Sequence, residues 1–164
     1  MKKECLSMFR DMRRVDRDKG SLAGIEILKN SDVSFLSTIS VDNGYPYAVP
    51  MNHVFLDGNI YYHCSKKGHK IDNINENSKV CVSAVSDYEF VPDKFTVGYK
   101  SVVVFGNASI VEDEEEKRKV LKEVIKTYST DYIEDGNEYI EKLFKITDII
   151  KVVPEKISGK ASKE

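Results

Sequence analysis

The chain of 164 residues contains no tryptophan, only three cysteines and no long apolar run. Cys5, Cys64 and Cys81 are odd in number and share no close ligand spacing, which argues against a disulfide framework and a structural zinc site. No segment approaches the 18 apolar residues that a membrane-spanning helix needs, and the N-terminus lacks the apolar stretch of a signal peptide. These absences predict a cytoplasmic protein with no membrane partner.

The chain also lacks an excess of charge of either sign. Its 25 Lys and Arg against 27 Asp and Glu give a net charge of −2, which excludes the broad basic face of a nucleic-acid-binding protein. With 41% hydrophobic residues, a chain of this length fits one domain, residues 1–164, that buries its own core. Any electrostatic recognition is therefore expected to be local.

Common catalytic and metal-binding motifs are missing too. His53, His63 and His69 form neither HxxxH nor HExxH, so no metal site is predicted. There is no GxSxG and no GxxxxGK[ST]. The chemistry of the protein is therefore expected to depend on something other than a serine nucleophile or a P-loop.

The hydrophobic pattern alternates between periods of two and of three to four residues. It predicts an α+β domain, mainly antiparallel β with peripheral short helices and closed as a barrel. The predicted strands are 33–41, 45–56, 59–65, 80–85, 97–111 and 145–153, with helices at 22–28, 68–77, 113–128 and 137–144, a loop at 86–96 and a polar tail after Pro154. Gly106 is predicted to form a bulge, Asp113 and Glu116 to form a capping box at the start of the third helix, and Lys117 to lie on the solvent face of that helix.

Two turn signals organise the first strands. Asn43-Gly44 and Asp57-Gly58 favour tight hairpins, which predicts that strands 33–41, 45–56 and 59–65 form an antiparallel meander. Pro46 and Pro50 remove ladder donors from the second strand, so that strand is predicted to be an edge or to be bulged. In this arrangement residues 52–53 lie beside residues 63–65, and the two groups face one pocket.

The densest polar segment is His63-Cys64-Ser65-Lys66-Lys67-Gly68-His69-Lys70. It joins a strand to a helix, whose first amides and positive dipole end favour an anion. Gly68 allows close approach of the backbone, and Ser65 and Lys70 add a hydroxyl and an ammonium group. The segment is a candidate phosphate site, and an ordinary solvated basic turn is the alternative.

Pro50-Met51-Asn52-His53 is the second candidate segment. Proline frees backbone amides and carbonyls that a flat heteroaromatic ligand can use, and Met51 offers a soft stacking surface. The alternative is an ordinary edge strand with an exposed histidine.

Several motifs in the same order resemble those of the pyridoxamine 5′-phosphate oxidase-like flavin proteins, specifically the nitroimidazole-resistance branch. The resemblance runs from about residue 8 to residue 160. The segments that carry it are Met12-Arg13-Arg14-Val15-Asp16-Arg17, Gly44-Tyr45-Pro46-Tyr47-Ala48-Val49-Pro50-Met51-Asn52, Tyr61-Tyr62-His63-Cys64-Ser65, Gly68-His69-Lys70-Ile71-Asp72-Asn73-Ile74 and Ser101-Val102-Val103-Val104-Phe105-Gly106.

The resemblance implies a split β-barrel homodimer that binds FMN in two symmetry-related clefts at the subunit interface. Arg13 and Arg14 would lie near the barrel, where a purely structural ion-pair role is equally open. The implied cofactor residues are Ser65, His69 and Lys70 at the phosphate with Gly68 in the same turn, His63 beside the ribityl chain, Val49, Pro50, Met51 and Asn52 along the isoalloxazine ring, and Ser101 near the cleft.

The implied activity is the reduction of small aromatic or nitro compounds, with NAD(P)H or another electron donor. Residues 155–160 lack the arginine and histidine pair of the founding oxidase, which argues against oxidation of pyridoxamine phosphate. Backbone amides of residues 50–53, or Lys160, are candidates to stabilise the reduced flavin. His53 is a candidate proton donor to the substrate, or it only lines the cleft.

Two rival functions remain at this stage. One is a flavin-, haem- or deazaflavin-binding carrier or stress-response protein without turnover. The other is a dimeric barrel that binds no cofactor, in which the lysine cluster is solvated surface.

Overall fold

A computed structural model describes residues 8–162, and Cys5 lies outside this range. The helices are α1 (Gly20–Lys29), α2 (His69–Glu76), α3 (Glu114–Tyr128) and α4 (Ile133–Leu143). The strands are β1 (Asp18–Lys19), β2 (Ser34–Ile39), β3 (Pro46–Met51), β4 (Val54–Leu56), β5 (Asn59–Ser65), β6 (Lys79–Val91), β7 (Thr96–Ile110) and β8 (Thr147–Ala161). No helix in this part of the chain combines the length and the apolar character needed to cross a membrane.

The strands form one antiparallel sheet in the order β3-β2-β6-β7-β8-β5-β4, with β1 paired to β8. Its two edge strands, β3 and β4, are joined by only Asn52 and His53. Because three peptide units span at most about 11 Å, the sheet must curl until its two edges approach each other. The predicted α+β split barrel is confirmed.

The main core fills the curled sheet, where α1 and α2 close it. Tyr62 and Ile150 are fully buried in this core, and Leu28 of α1 and Ile74 of α2 pack against them. A second core lies between α3, α4 and the opposite face of β5, around Tyr61. The helices thus cover the β5 end of the sheet. Among residues 8–162 no helix covers the outer face of β2, β6 and β7, where the ring of Phe9 stacks on Phe105 with the centroids 5.5 Å apart.

The residues of β2 alternate between the two faces of the sheet, and Leu36 faces the barrel interior together with the hydroxyl residues Ser34 and Thr38. Ser34 is fully buried and its Oγ lies 2.8 Å from the hydroxyl of Tyr62. Thr38 is also buried and accepts a hydrogen bond from Asn73. Since these hydroxyls have partners inside, the apolar set of Phe35 and Ile39 is left on the outer face.

Three segments predicted from the sequence are wrong. The segment 45–56 is two strands, because the chain leaves the β2 ladder at Met51 and joins β5 at Val54, so the three-strand meander does not form. The predicted loop 86–96 is a β-hairpin whose strands pair up to Val91↔Thr96, with a register shift between Val85 and Asp87. The last strand extends past Pro154 to Ala161, where a polar tail was expected.

The start of α3 confirms a predicted cap and corrects a predicted surface. Asp113 accepts a hydrogen bond from the amide of Glu116, as expected for an N-cap. The Glu116 carboxylate does not complete a capping box, because it binds the Tyr61 hydroxyl at 2.7 Å and Lys151 at 2.8 Å. Lys117, expected in solvent, is buried with its ammonium 4.5 Å from the centre of the Phe144 ring.

Candidate functional site

The basic turn that follows β5 ends at the N-terminus of α2. Gly68 is the N-cap residue, with a φ of 136° that disfavours any side chain, and the space where its Cβ would lie is open. The cap supplies no side-chain acceptor and the amide of Ile71 donates to the Gly68 carbonyl, which leaves the amides of His69 and Lys70 without an acceptor among residues 8–162. Lys70 is half-buried at the second position of the helix, and Ser65 is exposed at the end of β5.

His69 connects this turn to the other end of β2. Its Nε2 lies 2.9 Å from Ser40 Oγ and 3.5 Å from a carboxylate oxygen of Asp42. The imidazole also packs against the ring of Tyr47 in β3, with the ring centroids 4.3 Å apart and the planes tilted by 39°. His69 therefore brings the basic turn and the edge strand β3 together, through residues that the sequence analysis had not selected.

A fully buried amide fixes the position of α2. Asn73 donates from Nδ2 to Thr38 Oγ1 at 2.9 Å and accepts from the amide of Val41 at 3.0 Å. Both bonds hold α2 against the end of β2. Because the side chain of Asn73 is fully buried, replacing it would remove both hydrogen bonds that hold α2 against the end of β2.

The two prolines of β3 lie on its free edge, as predicted for an edge strand. The amide of Ser40, directly after β2, donates to the carbonyl of Tyr45, directly before β3, at 2.8 Å. Because hydrogen-bonded pairs alternate along an antiparallel ladder, the odd-numbered residues of β3 point their amides and carbonyls toward β2. The backbone groups of the even-numbered residues point away from β2, toward the free edge. Pro46 and Pro50 have no N–H, so the amide of Ala48 is the donor of β3 at this edge. The carbonyls of Pro46, Ala48 and Pro50 point toward the same edge.

The remaining residues of this candidate segment differ in their surroundings. Val49 and Pro50 lie in β3, half-buried and exposed respectively, and Met51 packs against the main core. Asn52 donates from Nδ2 to the carbonyl of Asp32 at 2.9 Å, which holds the chain where it passes from β3 to β4.

His53 is buried against the ring of Tyr62, with the ring centroids 6.1 Å apart, whereas His63 and Ser65 lie on the opposite face of β5, so the two groups do not face the one pocket that was expected. The Nε2 of His53 is 3.0 Å from the carbonyl of Leu28 and therefore carries the proton. Within residues 8–162, Nδ1 is buried with no hydrogen-bond partner. The Tyr128 hydroxyl donates to the carbonyl of His53 at 2.6 Å and accepts from its amide at 3.3 Å.

The burial of His53 lowers its pKa and predicts a pH-dependent stability. Below the pKa of an exposed histidine, about 6.5, the unfolded chain takes up a proton that the folded chain resists. The free energy of unfolding should therefore fall as the pH drops below that value, by up to about 1.4 kcal/mol per pH unit. Burial also lowers the pKa of His63, which adds a similar dependence.

Urea unfolding at pH 5 and pH 7.5 separates the two histidines. In His53→Gln, an amide can still donate to the Leu28 carbonyl, and the loss of stability at pH 5 should be smaller than in the wild type. His63→Gln is the control that removes only the His63 contribution. An unchanged pH dependence in His53→Gln would contradict the assignment.

His63 and Ser65 lie on the outer side of β5, and Cys64 between them faces the main core. Burial raises the pKa of the Cys64 thiol to about 11, so this cysteine is not a reactive thiolate at neutral pH. The part of the chain that the structure describes holds no group of three His, Cys, Asp or Glu side chains arranged for a metal ion.

Ser101 and Lys160 are neighbours on β7 and β8, far from the basic turn. Ser65 pairs with Thr147 at the start of β8, and Lys160 lies thirteen residues further, roughly 40 Å along an extended strand. β7 is also three inter-strand steps from β3, roughly 14 Å across the sheet. Ser101 and Lys160 therefore do not reach the basic turn of their own chain.

The two arginines of the resemblance have different contacts. Arg14 binds Asp16 through two nitrogens, at 2.9 and 2.7 Å, which lowers the pKa of that carboxyl. This is the ion-pair role that was left open. Arg13 is exposed.

Comparison with known proteins identifies the relatives of this chain. The family model described as pyridoxamine 5′-phosphate oxidase matches residues 24–161. No curated protein sequence is significantly similar to the chain. Many solved structures are similar to it.

Three of these structures have the same fold at low sequence identity. A candidate 5-nitroimidazole antibiotic resistance protein from Bacteroides thetaiotaomicron is 22% identical, with a TM-score of 0.68 over 88% of this chain and 89% of that one. An FAD-binding protein from Mesorhizobium loti is 24% identical, with a TM-score of 0.66 over 90% and 98%. The flavocytochrome Anf3 from Azotobacter vinelandii is 18% identical, with a TM-score of 0.72 over 94% and 73%.

Proposed function

Because this chain belongs to the pyridoxamine 5′-phosphate oxidase family, we propose that it binds FMN and reduces small aromatic or nitro compounds. The electron donor in this proposal is NAD(P)H or another reductant. Its site is the space between the basic turn of residues 65–70 and the free edge of β3.

The contact between His69 and Tyr47 is the observation that carries the proposal. It places a turn with free helix amides and the Lys70 ammonium next to an edge strand with a free amide. A phosphate fits the turn, because helix N-terminal amides, a lysine and the hydroxyl of Ser65 all favour an anion. A flat ring with polar edges fits the strand, whose backbone groups have no ladder partner there.

The flavin would supply the electron transfer, and the protein would bind and orient it. Lys70 and Ser65 would hold the phosphate, with the amides of the first turn of α2. Nε2 of His69 is already hydrogen-bonded to Ser40, so His69 would either support the turn or contact the phosphate through Nδ1. His63, on the same face of β5 as Ser65, would lie beside the ribityl chain.

A homodimer would complete the site. Ser101 and Lys160 are too far from the basic turn of their own chain to share a ligand with it, and a second copy would supply them. The outer face of the sheet favours such a dimer, because it exposes apolar residues that a monomer would keep in water. Residues of this outer apolar face are Phe35, Ile39, Val85, Val103 and Phe105.

The free amide of Ala48 leads to a direct prediction. Ala48→Pro removes the amide donor of the free edge, and it leaves the β2 ladder intact because that amide points away from β2. We expect the affinity for FMN to fall about tenfold, the value of one lost hydrogen bond to a polar ligand, with little change in melting temperature. Ser37→Pro is the control. It lies in the central strand β2 and would break that strand's ladder, so this variant should have a clearly lower melting temperature than Ala48→Pro.

The proposal is tested by titrating the purified protein with FMN and recording the visible spectrum, then adding NADPH or NADH without oxygen. Bound flavin that bleaches, and recovers its colour with a nitroaromatic acceptor, is the expected result. Bound flavin that no donor reduces would favour a carrier. No binding of FMN would overturn the proposal altogether.

A further inference from the structure

Two cations meet on one tyrosine at the end of the sheet opposite to the basic turn. Arg17 donates to the Tyr99 hydroxyl at 3.1 Å, and its guanidinium lies 5.9 Å from the centre of the ring. The Lys160 ammonium lies 5.7 Å from the same centre. These contacts lower the pKa of Tyr99, the largest contribution being the hydrogen bond from Arg17.

The two cations differ from their basic neighbours. Arg14, Lys100 and Lys156 each pair with a carboxylate, at Asp16, Asp87 and Asp11 respectively. Arg17 and Lys160 have no carboxylate within ion-pair distance among residues 8–162, and their shared contact is an uncharged phenol. Both side chains are half-buried, so their positions are set by the surrounding chain. Two positive charges are thus held in place without a counter-charge.

An aromatic surface continues from this cluster. Tyr88 lies directly opposite Tyr99 in the β6–β7 hairpin, so both rings are on the same face. Phe90, two residues further, is on that face too, and its ring meets Tyr88 edge-on at 5.0 Å. Tyr88 and Phe90 are 59% and 68% exposed, which leaves both rings open to a ligand.

We propose that Arg17, Tyr99 and Lys160, with the rings of Tyr88 and Phe90, bind a planar aromatic substrate through a negatively charged group such as a carboxylate. Two unpaired cations select the anion, and the neighbouring rings select a flat apolar body. The inference rests on the proposed function in one respect: the substrate would be an acceptor for a flavin held between this face and a second copy. It names the substrate class that the proposed function leaves open.

Isothermal titration of the full chain, purified with its flavin, tests the selection of the anion. The probes are 4-nitrobenzoate and its uncharged analogue 4-nitrobenzyl alcohol. The wild type should bind the anion about tenfold more tightly, as expected for one charge-assisted contact. In Arg17→Gln, which leaves only the Lys160 ammonium, this preference should fall by at least about threefold while the affinity for the alcohol stays the same. Arg14→Gln, which removes a cation already neutralised by Asp16, should keep the preference.

The flavin content of each variant separates this inference from the proposed function. Arg17→Gln should retain as much FMN as the wild type; a loss of FMN would mean that the cluster serves the cofactor, and would overturn the substrate assignment. Equal binding of the two probes by the wild type would overturn it as well. If the chain binds no flavin at all, the same two probes are titrated into the flavin-free protein. A preference for 4-nitrobenzoate then supports the anion site, and equal binding of the two probes overturns it.

Discussion

Phe35→Asp is expected to convert the protein into a monomer that has lost most of its FMN. Phe35 is 48% exposed at the centre of the outer apolar face, between β3 and β6. In a dimer through this face, the aspartate would be buried without a partner, at a cost of at least about 3 kcal/mol. That corresponds to a dissociation constant raised more than about a hundredfold. Sedimentation velocity across a range of concentrations measures the effect.

The same substitution should leave the fold of each chain intact. The side chain at position 35 points away from the main core, and its aspartate would be solvated in the monomer. Flavin binding should fall with dimerisation, because in the proposed dimer Ser101 and Lys160 of one copy complete the site at the basic turn of the other. Ile146→Asp is the matched control: Ile146 is 64% exposed between α4 and β8, away from the outer apolar face. A Phe35→Asp protein that stays dimeric would exclude this face as the interface.

Local chemistry explains which elements could be predicted from the sequence. The helix at His69–Glu76, the cap at Asp113 and the edge position of Pro46 and Pro50 depend on residues close to each other in the chain, and all three are confirmed. The bulge at Gly106 is confirmed too, since the β7–β8 register shifts between Phe105 and Gly106. Turn and cap signals act over two or three residues and survive any tertiary arrangement.

The predictions are wrong where contacts between distant parts of the chain determine the local structure. The sequence shows one apolar run over 45–56, but Asn52 and His53 link the two edges of the barrel, which only the curled sheet can reveal. The segment 86–96 has Asp87, Pro92 and Asp93, typical of a loop, and yet cross-strand pairing extends the hairpin through most of it. Lys117 was expected in solvent, because nothing in its own helix indicates that the Phe144 ring covers it.

The candidate site was predictable in part for the same reason. Gly68, His69 and Lys70 belong to one turn, and their types and order are sufficient to indicate an anion site. Tyr47 was not selected, because its importance comes from packing against a histidine 22 positions away. His53 was expected to share a pocket with His63, because the sequence does not indicate that the two side chains lie on opposite faces of β5.

Lys70→Gln is expected to weaken FMN binding about ten- to a hundredfold, the range for a lost charge-assisted hydrogen bond to phosphate. Riboflavin lacks the phosphate, so its affinity should not change, and the ratio of the two dissociation constants isolates the phosphate contact. Lys67→Gln, an exposed neighbour in the same turn, is the control and should change neither affinity by more than about twofold. Fluorescence titration of the wild type and both variants with both flavins gives the six dissociation constants. If Lys70→Gln weakens the binding of riboflavin as much as that of FMN, Lys70 only maintains the structure of the site and the turn does not bind a phosphate.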